Sequence, residues 1–277
     1  MIVDAHCHTF VTSMRIPAFP VDRLLAAMDG AGVDRAVLLQ GPYYGDCNDY
    51  VSFVGREHAD RLACMAYLDP WAEPRPAALP PPLPNGVFRG VKLECSVPTG
   101  LLGIHPNARL DDPALAWLWP TLQQAGLVLT LDLGGPGTAS YQTEAVRGIA
   151  ASHPALTMVV AHLGQPSPAV FRDSALRASW EGQLSLGLLP NVWFDTAALP
   201  AYYRREPFPW PGAAEALHRA ADLIGARKLL WGTDIPGLLQ YGEYARLREH
   251  VERAFASFPS HERDLVFGGN ASRIYFG

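Results

Sequence analysis

Eight short, almost continuously apolar runs punctuate this chain, with helix-like or turn-rich stretches between them. They are Met1-Ile2-Val3, Arg35–Gln40, Leu62–Leu68, Gly90–Glu94, Leu127–Asp132, Leu156–His162, Asn191–Asp195 and Lys228–Asp234. Strands that are apolar on both faces need cover on both faces, the situation of parallel strands joined by crossover helices. Amphipathic spacing supplies those helices. Val21, Leu24, Leu25 and Met28 fall at i, i+3, i+4 and i+7 ahead of Gly32, a C-terminal stop. Leu217, Ala220, Ala221 and Ile224 repeat the pattern before Gly225, and Leu247, Val251, Ala254, Phe255 and Phe258 repeat it near the end. Asp112-Pro113 reads as a helix start, and Pro120 as a kink or split in that helix. Within 277 residues this alternation predicts one α/β domain over residues 1–277, a distorted (β/α)8 TIM barrel. The competing architecture is an open doubly wound sheet, but no Gly-x-Gly-x-x-Gly follows any run. The stretch Trp71–Val87 is irregular: Pro74, Pro76, Pro80, Pro81, Pro82 and Pro84 exclude a normal helix. It reads as a degenerate crossover, with an interdomain linker as the alternative.

Composition narrows the partners. A net charge of -5 gives no general attraction to nucleic acid or anionic membranes, and no run approaches the ~18 apolar residues of a membrane span. No basic region and apolar core precede the first run, so no secretory signal is expected. Cys7, Cys47, Cys64 and Cys95 are scattered without a Cys-x-x-Cys pair, which suits reduced, buried thiols in the cytoplasm. The expected partner is a small-molecule substrate, and a homo-oligomer stays open.

The runs end in ionisable residues. His6 and His8 close the first, Lys92 and Glu94 the fourth, Asp132 the fifth, His162 the sixth, Asp195 the seventh and Asp234 the eighth. Singly, each fits a strand end that meets solvent. Together they would converge at the C-terminal mouth of a barrel, where such folds place their active sites. Imidazoles with carboxylates are the ligand set of zinc, manganese or iron. His6 and His8 are two apart on a strand, so they face one way about 7 Å apart, with Cys7 facing the other. They and Asp234 are candidate metal ligands. Asp132 is either a further ligand or a carboxylate that orients a histidine. His162 is a ligand, a proton shuttle or a substrate contact. Lys92 suits packing or an ion pair, or a carbamylated bridge between two metals, whereas Asp4 and Asp195 read as structural.

Asp4-Ala5-His6-Cys7-His8, Gly90-Val91-Lys92-Leu93, His162-Leu163-Gly164, Trp231-Gly232-Thr233-Asp234-Ile235-Pro236 and Gly269-Asn270-Ala271 together give the chain a family resemblance. It resembles the amidohydrolase-related family, the branch of the amidohydrolase superfamily that holds aminocarboxymuconate-semialdehyde decarboxylase, resorcylate-type decarboxylases and several sugar or aromatic lactonases. The resemblance spans essentially the whole chain and implies a distorted (β/α)8 barrel with one metal or none. It makes His6 and His8 ligands, Asp234 ligand and general base, and His162 a catalytic or substrate-binding residue. Members that bear metal usually place a histidine after the fifth strand, where this chain has Asp132. Asp132 either replaces that ligand, or the site is weakened as in metal-free lactonases, a branch that His162-Leu163-Gly164-Gln165-Pro166 also resembles.

The leading expectation is therefore hydrolysis of a lactone, ester or amide by one divalent metal ion, zinc or manganese. Asp234 would act as base and His162 would stabilise the oxyanion. Non-oxidative decarboxylation, a metal-independent lactonase and a non-catalytic binding barrel are the alternatives. For the substrate, Tyr203, Arg204 and Arg205 after the seventh strand and Arg172 after the sixth suit an anionic ligand, and Tyr43 and Tyr44 could join them. A solvated loop pair is the equal reading of Arg204 and Arg205.

Overall fold

Each apolar run supplies one strand of a parallel ring. The computed structural model describes residues 1–13, 16–44, 47–74, 76, 78–79, 83 and 86–277. The strands are β1 (Val3–Cys7), β2 (Arg35–Leu38), β3 (Leu62–Tyr67) and β4 (Phe88–Glu94). They continue with β5 (Val128–Asp132), β6 (Met158–Val160), β7 (Val192–Asp195) and β8 (Leu229–Leu230). Their order in the sheet is their order in the chain. β8 is far shorter than its apolar run because the chain beyond it turns to other partners. Trp231 N donates to Val266 O, and Trp231 O accepts from Ala5 N, each at 2.8 Å. Asp234 N to His6 O (2.7 Å) and His8 N to Ile235 O (2.9 Å) complete the closure against β1. The result is a (β/α)8 TIM barrel.

The helices are α1 (Val21–Ala31), α2 (Asn48–Glu57), α3 (Leu101–Ile104), α4 (Leu118–Gln124), α5 (Thr143–Ser152) and α6 (Ser174–Leu184). They continue with α7 (Leu199–Tyr202), α8 (Pro211–Ile224), α9 (Tyr244–Ala254), α10 (Ser260–Asp264) and α11 (Asn270–Tyr275). α1 stops where its glycine predicts, with Gly32 in the left-handed region at φ 65°. Of the kink or split expected around Pro120, the split occurs. Asp112 accepts from Ala114 N and caps a short 3-10 turn, and the chain restarts at Leu118. Pro120 then lies in the first turn of α4, where its missing N–H leaves no helical bond unmade. Pro74 and Pro76 lie in irregular chain, while Pro80, Pro81, Pro82 and Pro84 fall outside the described residues. β3 and β4 pair directly, from Cys64 with Phe88 to Tyr67 with Lys92, so this stretch is a crossover within one sheet. Among the described residues no helix is long and apolar enough to cross a membrane.

Inside the barrel, Val3, Ala5, Val37, Leu39, Met65 and Leu230 belong to one apolar cluster. Tyr275 of α11 closes that cluster from the N-terminal side and lies 3.4 Å by its hydroxyl from Thr130 Oγ1. Strict alternation from Val3 would send Cys7 inward and His6 outward. An irregularity in β1 between Asp4 and Cys7 resets the parity. Asp4 therefore reaches out to α9, Cys7 packs into the outer core, and the His6 and His8 side chains turn into the barrel.

Asp4 holds the seam. Its carboxylate accepts from Thr233 N (3.0 Å), Thr233 Oγ1 (2.5 Å), Tyr244 OH (2.7 Å) and His6 N (3.0 Å). Burial pushes its pKa up to about 6 against those four bonds. Asp4→Ala leaves these donors unpaired and is expected to destabilise the protein by about 3 kcal/mol or more. Asp4→Asn should lose less, which thermal melting of both variants checks.

A buried histidine contributes to the loss of stability in acid. His250 of α9 packs edge-on to Trp210, and its burial pushes its pKa down to about 3. The unfolded chain takes up this proton below the ordinary value near 6.5, whereas the folded chain refuses it until about 3. Its contribution to stability is therefore complete above 6.5 and lost as pH falls toward 3. His250→Leu should show a shallower loss between pH 6 and 4, by up to about 1.4 kcal/mol per pH unit, in denaturant titrations.

Candidate active site

The C-terminal ends of the strands surround a cavity of about 550 Å³, and His8, Lys92, Asp132, His162 and Asp234 all line it. These five strand-end residues thus meet where the alternation predicted, and His6 lies buried directly beside them. The two imidazoles of β1 are each fixed from behind. His6 Nδ1 donates to Asp195 Oδ2 at 2.9 Å, and His8 Nδ1 donates to Leu39 O at 2.7 Å. With those tautomers, both Nε2 lone pairs face Asp234 Oδ1, at 3.9 Å from His6 and 2.8 Å from His8. A bare nitrogen opposite a carboxylate oxygen repels it, and an intervening proton or cation makes the contact favourable. Burial pushes the His6 pKa down to about 4, more than the Asp195 carboxylate raises it, so His6 stays neutral as a ligand must be. The donor set His6, His8 and Asp234 thus fits a divalent metal, with the supporting carboxylate and carbonyl such ligands usually have.

Asp132 takes no part in that set. Its Oδ2 lies 3.1 Å from His162 Nε2, and its Oδ1 accepts from Gly134 N (3.1 Å) and Gln165 Nε2 (2.9 Å). Of its two sequence readings, this is the geometry of a carboxylate that orients a histidine: it is already engaged by the sixth-strand His162. Burial opposes charge on both groups, yet the pairing outweighs it. His162 is pushed up to about 9 and Asp132 is held well below the usual carboxylate range.

The backbone aims this pair. His162, Leu163, Gly164 and Gln165 all have left-handed conformations, with φ of 59°, 54°, 67° and 53°. For a non-glycine residue this costs roughly 1–2 kcal/mol, so the surroundings must impose it. Trp180 Nε1 donates to Leu163 O (2.8 Å), Tyr141 OH to Gly164 O (2.9 Å), and His162 N to Asp195 Oδ1 (2.8 Å). A Cβ on Gly164 would come within 2.7 Å of Gln183 Oε1, which explains the glycine. Asp195, read from sequence as structural, therefore orients both His6 and His162.

Lys92 sits on the cavity floor, its Nζ 3.4 Å from His6 Nε2 and 3.5 Å from Glu94 Oε2. Burial alone would lower its pKa, but Glu94, Asp132, Asp234 and Asp195 together hold it above the ordinary lysine value, so Lys92 stays charged. Burial and the nearby Asp132 push the Glu94 pKa up to about 8.

The loop residues expected to bind substrate are elsewhere. Arg172, Arg204 and Arg205 are exposed and do not line the cavity, and Tyr203 is buried in the core. Spacing in a loop does not fix which way a side chain points, and α7 turns Tyr202 to the cavity instead. Tyr44 lines it too, stacked on Phe10, while the Tyr43 side chain falls outside the described residues. Sequence reasoning gave no role of their own to Tyr202, which opens the Tyr202-Tyr203-Arg204-Arg205 run, or to Gln165, which stands in His162-Leu163-Gly164-Gln165-Pro166.

A parallel barrel with two histidines at the end of its first strand, a histidine after the sixth and an aspartate after the eighth defines an amidohydrolase-type enzyme. The chain belongs to the family described as Amidohydrolase, whose model matches residues 3–277. It is 32% identical over 137 residues to an L-fucono-1,5-lactonase of Burkholderia multivorans, covering 47% of this chain and 46% of the relative. The match thus spans about half the length of that relative. A Burkholderia multivorans amidohydrolase with bound HEPES shares the fold at TM-score 0.79 and 22% identity, over 100% of this chain and 99% of that one. With bound zinc it gives 0.76 and 21%, at the same coverage. A probable 2-pyrone-4,6-dicarboxylic acid hydrolase of Acinetobacter baumannii gives 0.77 and 17%, again over 100% and 99%.

Metal content separates the ligands from their supports. Protein supplied with zinc is expected to hold close to one ion per chain, His8→Ala to lose it, and Asp132→Asn to keep it. Equal loss in both variants, read by elemental analysis, would return Asp132 to the ligand set.

Proposed function

We propose that this enzyme hydrolyses a small lactone at the C-terminal mouth of the barrel. The convergence of His6 Nε2, His8 Nε2 and Asp234 Oδ1 with both imidazoles held from behind carries the reading. Its similarity to a lactonase directs it toward a ring ester. A zinc or manganese ion held by His6, His8 and Asp234 would acidify a water molecule and polarise the substrate carbonyl.

The chain's own residues supply the proton transfers and the charge. Burial works against ionised Asp234, but the 2.8 Å His8 contact, bridged by a proton or cation, and the His162 charge outweigh it and hold its pKa below the usual carboxylate range. Asp234 is therefore available at neutral pH to take the proton of the attacking water and to return it to the departing ring oxygen. Asp132 keeps His162 cationic, and the Lys92 ammonium lies on the same floor. Together they offer positive charge where the carbonyl oxygen turns negative. The Asp195 and Leu39 contacts keep both imidazoles from rotating during turnover. We place the enzyme in the cytoplasm, where its four free buried cysteines stay reduced.

Asp234→Asn should lower kcat for lactone opening by about 10²–10⁴-fold, the range for a lost general base, with an unchanged melting temperature. Acid release from a lactone panel measures it. Release of CO2 from an aromatic or unsaturated carboxylic acid, with every lactone left intact, would replace hydrolysis by decarboxylation.

A further inference from the structure

Several donors that line the cavity are already engaged by protein acceptors. Gln165 Nε2 donates to Asp132 Oδ1 (2.9 Å), Ser96 Oγ to Glu94 Oε1 (2.5 Å) and Thr138 Oγ1 to Gly135 O (2.8 Å). Tyr202 differs. It lines the same cavity and is half-buried, and among the described residues its hydroxyl has no hydrogen-bond partner. A phenol largely withdrawn from water, with its O–H unused, gains from any acceptor brought to it.

The carboxylate that aims His162 also aims Tyr202. Asp195 Oδ1 accepts from His162 N (2.8 Å) and from Ala197 N (3.1 Å), while Oδ2 accepts from His6 Nδ1 (2.9 Å). One side chain thus anchors both histidines and the chain that leads into α7. Ala198 follows in the left-handed region at φ 63°, a conformation that a residue with a Cβ adopts only where its surroundings impose it. Ala201 N then donates to Ala198 O (2.9 Å) and Tyr203 N to Leu199 O (3.2 Å), so α7 is a single tight turn. Tyr203 fixes its far side. The buried Tyr203 ring fills the space over Gly212 of α8, where a Cβ would come within 2.6 Å of it. Tyr202, one residue earlier, is left facing the cavity.

Charge and the allotment of donors decide what Tyr202 does there. Burial, followed by the charges of Asp132, Asp234, Glu94 and Asp195, pushes its pKa well above the ordinary tyrosine value, so the hydroxyl keeps its proton. A lactone offers such a donor two ester oxygens. The departing ring oxygen receives its proton from Asp234, which leaves the carbonyl oxygen. Of the four carboxylates, Asp132 acts most strongly on the Tyr202 hydroxyl, and Asp132 also holds His162. Tyr202 and His162 therefore flank one region of the cavity, beside the Asp234 base. A hydrogen bond to an oxygen that passes from neutral to negative strengthens in the transition state.

We infer that Tyr202 is a catalytic residue whose hydroxyl donates a hydrogen bond to the substrate carbonyl oxygen, beside His162, and holds that oxygen more tightly as it turns negative. The proton stays on the tyrosine throughout. The inference rests on the hydrolytic reading above and adds to it a residue that is neither a metal ligand nor a strand end.

Tyr202→Phe removes the hydroxyl and keeps the ring. With an unchanged melting temperature, kcat for lactone opening should fall by about 10²-fold, the scale of one lost oxyanion donor, while KM stays within about twofold. Binding tests the same bond without turnover. A six-membered cyclic phosphonate monoester carries the negative tetrahedral oxygens that a δ-lactone acquires under attack, whereas δ-valerolactam carries a neutral carbonyl. In calorimetry on protein supplied with zinc, Tyr202→Phe should weaken the phosphonate by about tenfold or more, and the lactam by no more than about threefold. An unchanged kcat, a raised KM with kcat intact, or equal losses for phosphonate and lactam would overturn the inference. Lactone opening that survives Tyr202→Phe at full kcat would leave hydrolysis standing and retire Tyr202. If no lactone is opened and the selective loss of phosphonate persists, hydrolysis is retired and Tyr202 remains a donor to an anionic oxygen. A wild-type protein that neither opens a lactone nor binds the phosphonate would retire both.

Discussion

Closure of the barrel between β8 and β1 is the constraint on which the site depends. The residues that exchange backbone hydrogen bonds there, His6, His8 and Asp234, are the ones whose side chains meet in the cavity. Closing the ring and assembling the donor set are therefore one event. Gly232 allows the approach, since a Cβ there would sit 3.0 Å from His6 Cβ. Asp4 secures it from outside, bridging His6, Thr233 and Tyr244 of α9. An acidic residue two positions before the first histidine is thus a bolt on the seam, with its carboxylate turned away from the cavity.

Charge in the cavity is organised by pairing. Asp195 reaches His6 and the backbone of His162, Asp132 reaches His162 and Gln165, and Glu94 reaches Lys92 and Ser96. Buried ionised groups without partners would neutralise by shifting their pKa values. Here the partners keep Asp234 and Asp195 ionised and let His6 stay neutral, two opposite demands met within one ring contact of 4.5 Å between His6 and His162. The left-handed turn at His162–Gln165 is what makes this geometry reachable, and the Trp180 and Tyr141 hydrogen bonds hold its strain.

The barrel was legible because strands covered on both faces leave continuous apolar runs, and every run became a strand. The short β8 was not, since Trp231–Asp234 is as apolar-led as any strand and only its pairing with β1 takes it out of the β7 register. The shared orientation of His6 and His8 follows from alternation, but their inward direction depends on the irregularity in β1, which no periodicity announces. That Asp132 orients a histidine was one of its two sequence readings, but its choice of His162 depends on four successive left-handed residues, of which only Gly164 advertises that conformation. Arg204 and Arg205 stand exposed outside the cavity, as their reading as a solvated loop pair allowed, and Arg172 does too, because residue type and loop spacing do not fix where a side chain points.

The central claim is that barrel closure presents His6, His8 and Asp234 as one ligand set while Asp132 stays with His162. Anomalous diffraction at the zinc edge, from crystals grown with the metal, tests it most directly. One peak is expected, within bonding distance of His6 Nε2, His8 Nε2 and the Asp234 carboxylate, with Asp132 still on His162. A peak bonded to Asp132, or one that leaves His6 and His8 unligated, would contradict the account.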